Sequence, residues 1–199
     1  QAASTLVVSA TATGGAGGLG GTSANANPCL LGNGGNASVT INGNILQPTK
    51  ALTNIELDAI AIGGNGTRYG NANATISGNI IQPSKAVPTV TLEAIARSAG
   101  PDDSSHDGDA AFGTKSASVN GNIVQGDINT VTLLADAYFS NGTANLNGNI
   151  VQTKPTNTGT VLLEATGQHI DIEQNKITLG KQELDLTINE LAPGYSAKI

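Results

Sequence analysis

Hydrophobic residues fall on alternate positions along most of this chain. Ala37, Val39 and Ile41 alternate with Ser38, Thr40 and Asn42, and Ala72, Ala74 and Ile76 repeat the arrangement. Shorter versions place Ala117 with Val119, Ala144 with Leu146, and Ile170 with Ile172. A period of two predicts a strand that buries one face. Each stretch runs into a recurring hexad: Asn42-Gly43-Asn44-Ile45-Leu46-Gln47, Ser77-Gly78-Asn79-Ile80-Ile81-Gln82, Asn120-Gly121-Asn122-Ile123-Val124-Gln125 and Asn147-Gly148-Asn149-Ile150-Val151-Gln152. A worn fifth copy is Glu173-Gln174-Asn175-Lys176-Ile177-Thr178. An aliphatic residue stands three positions before each central Asn: Ile41, Ile76, Val119, Leu146 and Ile172.

A second strand follows each hexad, beginning at Ile55, Val90, Val131, Val161 and Leu184, and Leu6-Val7-Val8-Ser9-Ala10 is an earlier, unpartnered copy. The inward series Val90, Leu92, Ala94, Ala96 passes from large to small, which predicts a narrow interior corner. The two connections between strands behave differently. From the repeat Asn to the next strand takes 9 to 12 residues, whereas from that strand to the next repeat Asn takes 14 to 38. One edge of the fold is therefore constant and the other carries insertions. The shortest full unit, Val161 to Leu184, is 23 residues, about one coil of a β-solenoid.

These features predict an all-β, single-domain parallel β-helix of about five coils with variable loops on one edge. Residues 1–36 form an N-terminal strand and Gly-rich insertion, residues 37–183 the repeats and residues 184–199 a charged C-terminal cap broken at Pro193-Gly194. The alternative is an antiparallel β-sandwich, in which each hexad strand pairs with its sequence neighbour. The solenoid is preferred because every repeat keeps the same face buried and cannot close a core alone. Equivalent residues then stack at about 4.8 Å, so Asn44, Asn79, Asn122, Asn149 and Asn175 are predicted to form an asparagine ladder. Asn tolerates left-handed backbone at a sharp turn, and the Gly before it relieves crowding. Gln47, Gln82, Gln125 and Gln152 are predicted to form a second, outer ladder.

Composition agrees with thin strands and recurring turns. Gly, Ala, Thr and Asn make nearly half of the 199 residues, aromatics are 3% and charged residues 12%. An ordinary helical domain would be richer in Leu, Glu, Lys and Arg. Net charge is −6 with nine scattered Lys and Arg, which disfavours nucleic acid as a partner. No apolar run approaches the roughly 20 residues of a membrane span, so no membrane insertion is expected. The chain begins at Gln1, as a mature or excised segment would. Charge is graded: the first charged residue is Lys50, while residues 164–199 hold nine of the 24. That neutral N-terminal end is the place expected to contact a second copy or neighbouring repeats.

Candidate chemistry is sparse. Gly14 to Gly21 keeps a Gly-Gly-X period, read either as a flexible loop or as a packed glycine spine. Asp102, Asp103, Asp107 and Asp109 form a dense acidic loop, read as solvated or as a Ca2+ site, although the spacing matches no EF-hand or calcium nonapeptide. Cys29 is a lone thiol, and His106 and His169 are the two histidines. Glu56, Glu93 and Glu164 are expected to align across repeats, with Asp58 and Asp136 nearby, as an acidic stripe; paired carboxylates are what glycosidases use, but aromatic sugar platforms are nearly absent. Asn36, Asn65, Asn73 and Asn141 open glycosylation sequons. Ice binding needs a regular Thr array, and Thr40, Thr75 and Ser118 give way to Asn145 and Asp171. No nucleophile elbow, zinc motif or P-loop is present, and no cofactor is expected.

Over residues 37–188, the Gly-Asn-Ile-x-Gln hexads and the Val-x-Leu strands after them resemble the β-helical repeats of large secreted bacterial surface proteins of the adhesin or filament-forming type. The resemblance implies an extracellular or cell-surface location and a non-enzymatic structural, adhesive or filament role. The alternative reading is a glycan-binding or glycan-cleaving β-helix that uses its acidic face.

Overall fold

The computed structural model describes residues 4–17, 32–66, 68–98, 113–138, 142–190 and 197–198. The chain winds through five coils of three strands each. The first coil is β1 (Thr5–Thr13), β2 (Ala37–Asn42) and β3 (Ile45–Leu46), and the second is β4 (Asn54–Gly63), β5 (Ala72–Ser77) and β6 (Ile80–Ile81). The third is β7 (Val87–Ser98), β8 (Lys115–Asn120) and β9 (Ile123–Gly126). The fourth is β10 (Ile128–Asp136), β11 (Gly142–Asn147) and β12 (Ile150–Thr153), and the fifth β13 (Thr160–Gly167), β14 (His169–Glu173) and β15 (Lys176–Thr178). A partial sixth coil adds β16 (Glu183–Glu190) and β17 (Ala197–Lys198).

Each strand of the first four coils pairs in parallel with its counterpart in the next coil, and β13 and β14 pair in the same way with β16 and β17. The long sheet runs β1-β4-β7-β10-β13-β16, the second sheet β2-β5-β8-β11-β14-β17 and the third β3-β6-β9-β12-β15. Among the described residues sequence neighbours do not pair, so the antiparallel alternative is set aside and the parallel β-helix stands. The apparently unpartnered copy at Leu6 is β1, in register with β4 through Leu6 opposite Ile55 and Val8 opposite Leu57.

The inward residues of all three sheets meet in one core. Leu57, Leu92, Leu133 and Leu163 stack in one column of the long sheet and are buried. Each such burial contributes about 1.5–3 kcal/mol. The predicted small corner lies where the long sheet ends and the second sheet begins. Ala59 and Ala61 on β4, with Ala94 and Ala96 on β7, are fully buried there, as are Ala72 and Ala74 on β5.

The variable edge outside that corner is partly glycine. Backbone bonds run from Gly14 N–H to the Ile62 carbonyl (2.8 Å), Gly35 N–H to Gly15 (2.7 Å), Gly64 N–H to Gly35 (2.8 Å) and Gly70 N–H to Gly64 (2.9 Å). A Cβ at Gly14 or at Gly70 would overlap the Gly35 carbonyl oxygen. The described part of the Gly-Gly-X run is thus a packed spine in which backbones touch without side chains between them. Its remainder, from Gly18 to Gly21, lies outside the described residues.

Candidate functional site

The constant turn between the second and third sheets carries the most ordered polar array. Asn44, Asn79, Asn122, Asn149 and Asn175 stack one per coil. Each lower rung donates through Nδ2 to the Oδ1 above it: Asn44 to Asn79 at 2.9 Å, Asn79 to Asn122 at 2.9 Å, Asn122 to Asn149 at 3.0 Å and Asn149 to Asn175 at 3.0 Å. The lower rung's backbone N–H donates to the same oxygen, at 3.0 to 3.1 Å. The second Nδ2 hydrogen bonds back to the carbonyl of an aliphatic residue one coil below: Asn79 to Ile41, Asn122 to Ile76, Asn149 to Val119 and Asn175 to Leu146. An amide has two donors and one two-lone-pair acceptor, so Asn79, Asn122 and Asn149 use their full capacity while buried. The aliphatic three positions before each Asn supplies both an inward side chain and that carbonyl.

One detail differs from expectation. The left-handed residue is the one before the ladder Asn: φ is 68° at Gly43, 62° at Gly78, 63° at Gly121 and 65° at Gly148. A Cβ at Gly43 or Gly121 meets nothing within 4 Å, so glycine is required there by dihedral rather than by crowding. In the fifth coil Gln174 takes the same position at φ 58°.

The outer glutamine ladder forms as well, with Nε2 to Oε1 distances of 3.1 Å from Gln47 to Gln82, 2.7 Å from Gln82 to Gln125 and 3.1 Å from Gln125 to Gln152. At the constant edge of coils four and five there is a polar cluster that the repeat pattern does not announce. Asn157 donates to Asp127 (2.9 Å) and to Asn129 (3.0 Å), and buried Gln182 donates to the carbonyls of Ile128 and Asn129. The Asn157 and Lys154 hydrogen bonds hold the Asp127 carboxyl below its ordinary range.

The acidic face lies on the outer side of the long sheet, with a register other than expected. Asp58, not Glu56, stands opposite Glu93, while Glu56 faces Thr91. Leu134 separates Glu93 from Glu164 in that column. Residue type alone does not align the acids; the inward Leu57–Leu92 pair sets the register and places Glu56 one residue before it and Glu93 one after. Asp58 and Glu93 sit on adjacent strands, about 4.8 Å apart in the stacking direction. Burial, then the charges of Glu56 and Glu93, push Asp58 up to about 6. Burial, then Glu56, also raises Glu93, against which Arg97 acts. Arg97 is engaged with Asp136 at 3.0 Å.

Lys115 is the other titratable group of note. It opens β8 on the inward face, in register with Ala72 and Gly142, and is 1% exposed. Burial pushes its ammonium down to about 8. Counting back by twos from Val119 and Ala117 reaches position 115, so the alternation carries the signal, although a charged residue at an inward position runs against composition.

Asp102, Asp103, Asp107, Asp109, His106, Cys29 and Asn141 lie outside the described residues. Among the described residues no group of three or more His, Cys, Asp or Glu could hold a metal ion, and no helix is long and apolar enough to cross a membrane. His169 begins β14 at the surface. Asn73 is exposed on β5, and Asn36 accepts a hydrogen bond from the Asn71 N–H at 2.9 Å. Comparison with protein-family models, with curated proteins and with solved structures finds no match to this chain.

Proposed function

We propose that this chain is a non-enzymatic, extracellular structural and adhesive repeat module, of the kind its hexads resemble in secreted bacterial surface proteins, and that it assembles end to end through its first coil. The observation that carries this reading is the coincidence of three sheet edges at one end. β1, β2 and β3 are each the terminal strand of their sheet, and among the described residues the ladder bond that every later rung receives from below has no giver at Asn44. Strand edges are ordinarily guarded by charge. The first coil has no charged side chain before Lys50, and it exposes Val7 (51%) and Ile45 (64%). A coil of a second copy would extend three parallel sheets and offer donors to the Asn44 Oδ1 and Gln47 Oε1.

Sedimentation velocity with electron microscopy across a concentration series tests this. Rods that lengthen with concentration, and that are lost in Ile45→Lys and Val7→Lys, are expected. Strictly monomeric particles at every concentration refute end-to-end assembly. A second reading, a glycan-binding or glycan-cleaving face, is favoured by the raised Asp58 and Glu93 carboxyls, since a general acid needs such a shift. A polysaccharide turnover and binding screen with Glu93→Gln and Glu164→Gln addresses it; unchanged activity in both variants removes those residues from any such role.

A further inference from the structure

The outer face of the long sheet carries a concentration of like charge at one inter-coil junction. Asp58 on β4 and Glu93 on β7 are direct register partners, and Glu56 lies two residues from Asp58 on the same face of the same strand. The like charge of Glu56 opposes ionisation of Asp58, so the cluster is eased when Asp58 holds a proton. Asn54 donates to Glu56 at 3.3 Å, a neutral contact that leaves the negative charge in place. The Oδ1 of Asp58 is buried with no hydrogen-bond partner.

The surroundings offset this charge only in part, through Arg97 acting on Glu93. β1 packs against β4 with Val7, Ser9 and Thr11 on that face and brings no charge. β10 contributes Asp136 and β13 contributes Glu164, both acidic. Arg97 of β7 is the cation of this face among the described residues, and its 3.0 Å contact with Asp136 directs it toward the fourth coil. Lys115 of β8 packs on the interior side of the sheet.

We propose that Glu56, Asp58 and Glu93 form a pH-responsive clamp between the second and third coils, which tightens when the cluster takes up a proton and loosens when that proton leaves. In the folded chain Asp58 holds its proton up to about pH 6, against 3.8 for the free side chain. Between these values the folded state binds more protons than the unfolded state. Stability therefore falls as pH rises through this window, and the clamp is tight on its acid side. The inference does not depend on end-to-end assembly or on a glycan ligand. It gives the solenoid a way to stiffen on acidification at one junction.

Thermal unfolding at about pH 5 and about pH 7.5 of the wild type, Asp58→Asn, Glu93→Gln and the control Asp185→Asn tests the clamp. The wild type is expected to melt about 2–4 °C higher at the lower pH than Asp185→Asn-type background charge effects alone produce. Asp58→Asn and Glu93→Gln should melt higher than wild type at the upper pH and lose most of that difference. Full retention of the difference in both variants overturns the proposal. A carboxyl-carbon NMR titration of the wild type reads the same point without any variant: Asp58 titrating near pH 6 supports the clamp, and Asp58 titrating near its free value of 3.8 overturns it.

Discussion

Truncating Asn122 to alanine perturbs the centre of the asparagine ladder. The wild-type side chain makes four hydrogen bonds: Nδ2 to Asn149 Oδ1 (3.0 Å) and to the Ile76 carbonyl (3.1 Å), and Oδ1 from the Asn79 N–H (3.1 Å) and Asn79 Nδ2 (2.9 Å). Asn149 Oδ1 keeps the Asn122 backbone N–H at 3.1 Å after the change. Asn79 does not recover: its N–H and one Nδ2 hydrogen are left without an acceptor in a residue that is 0% exposed. Each orphaned buried group costs about 1–3 kcal/mol, so Asn122→Ala is expected to lose about 3–5 kcal/mol after partial relaxation. Asn44→Ala removes one side-chain bond, Nδ2 to Asn79 Oδ1 at 2.9 Å, at a half-buried rung. Asn79 Oδ1 retains the Asn44 N–H, so that variant should lose only about 1 kcal/mol. Urea unfolding followed by far-ultraviolet circular dichroism, at protein concentrations where only monomer is present, measures both. Matching m-values keep the comparison within one cooperative unit. Native-state hydrogen exchange should show the Asn79 amide losing protection in Asn122→Ala alone. Equal losses for the two variants would refute the claim that ladder stability comes from saturated, buried amides rather than from the turn itself.

Three further outcomes follow from particular positions. Gln174→Gly should stabilise the fold by about 1 kcal/mol by relieving a left-handed φ of 58°, whereas Gly121→Ala, with open space around its Cβ, should cost about 1 kcal/mol through backbone alone; calorimetry reads both. Gly70→Ala should lose about 2–3 kcal/mol or force the glycine spine apart, because its Cβ meets the Gly35 carbonyl, while Gly15→Ala, with nothing within 4 Å, should change the unfolding midpoint negligibly. Lys115 has a folded-state value near 8 against 10.5 when free, so the unfolded chain holds the proton that the folded chain has released. Stability should therefore gain a component between about pH 8 and pH 10.5 that Lys115→Met lacks, measured by unfolding at stepped pH.

The repeat makes much of the architecture legible in the sequence. Period-two alternation marked the long strands, and the fixed distance from each ladder Asn to the next aliphatic run marked the constant edge. The short strands of the third sheet were harder: Ile45–Leu46 and Ile80–Ile81 are two residues each, too short to show a period. The position of Lys115 was legible but ran against composition. The carboxylate alignment is not legible, because acids recur at irregular offsets whereas the buried leucines beside them recur strictly.

The five recurring Asn positions and the buried face they follow are legible in the sequence and favour a solenoid, because stacking one coil on another repeats the same chemical demand once per turn and so writes it into the sequence at intervals. Which carboxylates meet, the backbone-to-backbone packing of glycines far apart in the chain and the place of β1 in the first coil come from tertiary contacts. Those outcomes depend on register and on contacts between segments 20 to 50 residues apart, such as Gly14 with Ile62 and Gly35 with Gly64. Local spacing cannot encode them, because insertions of different length lie between the partners.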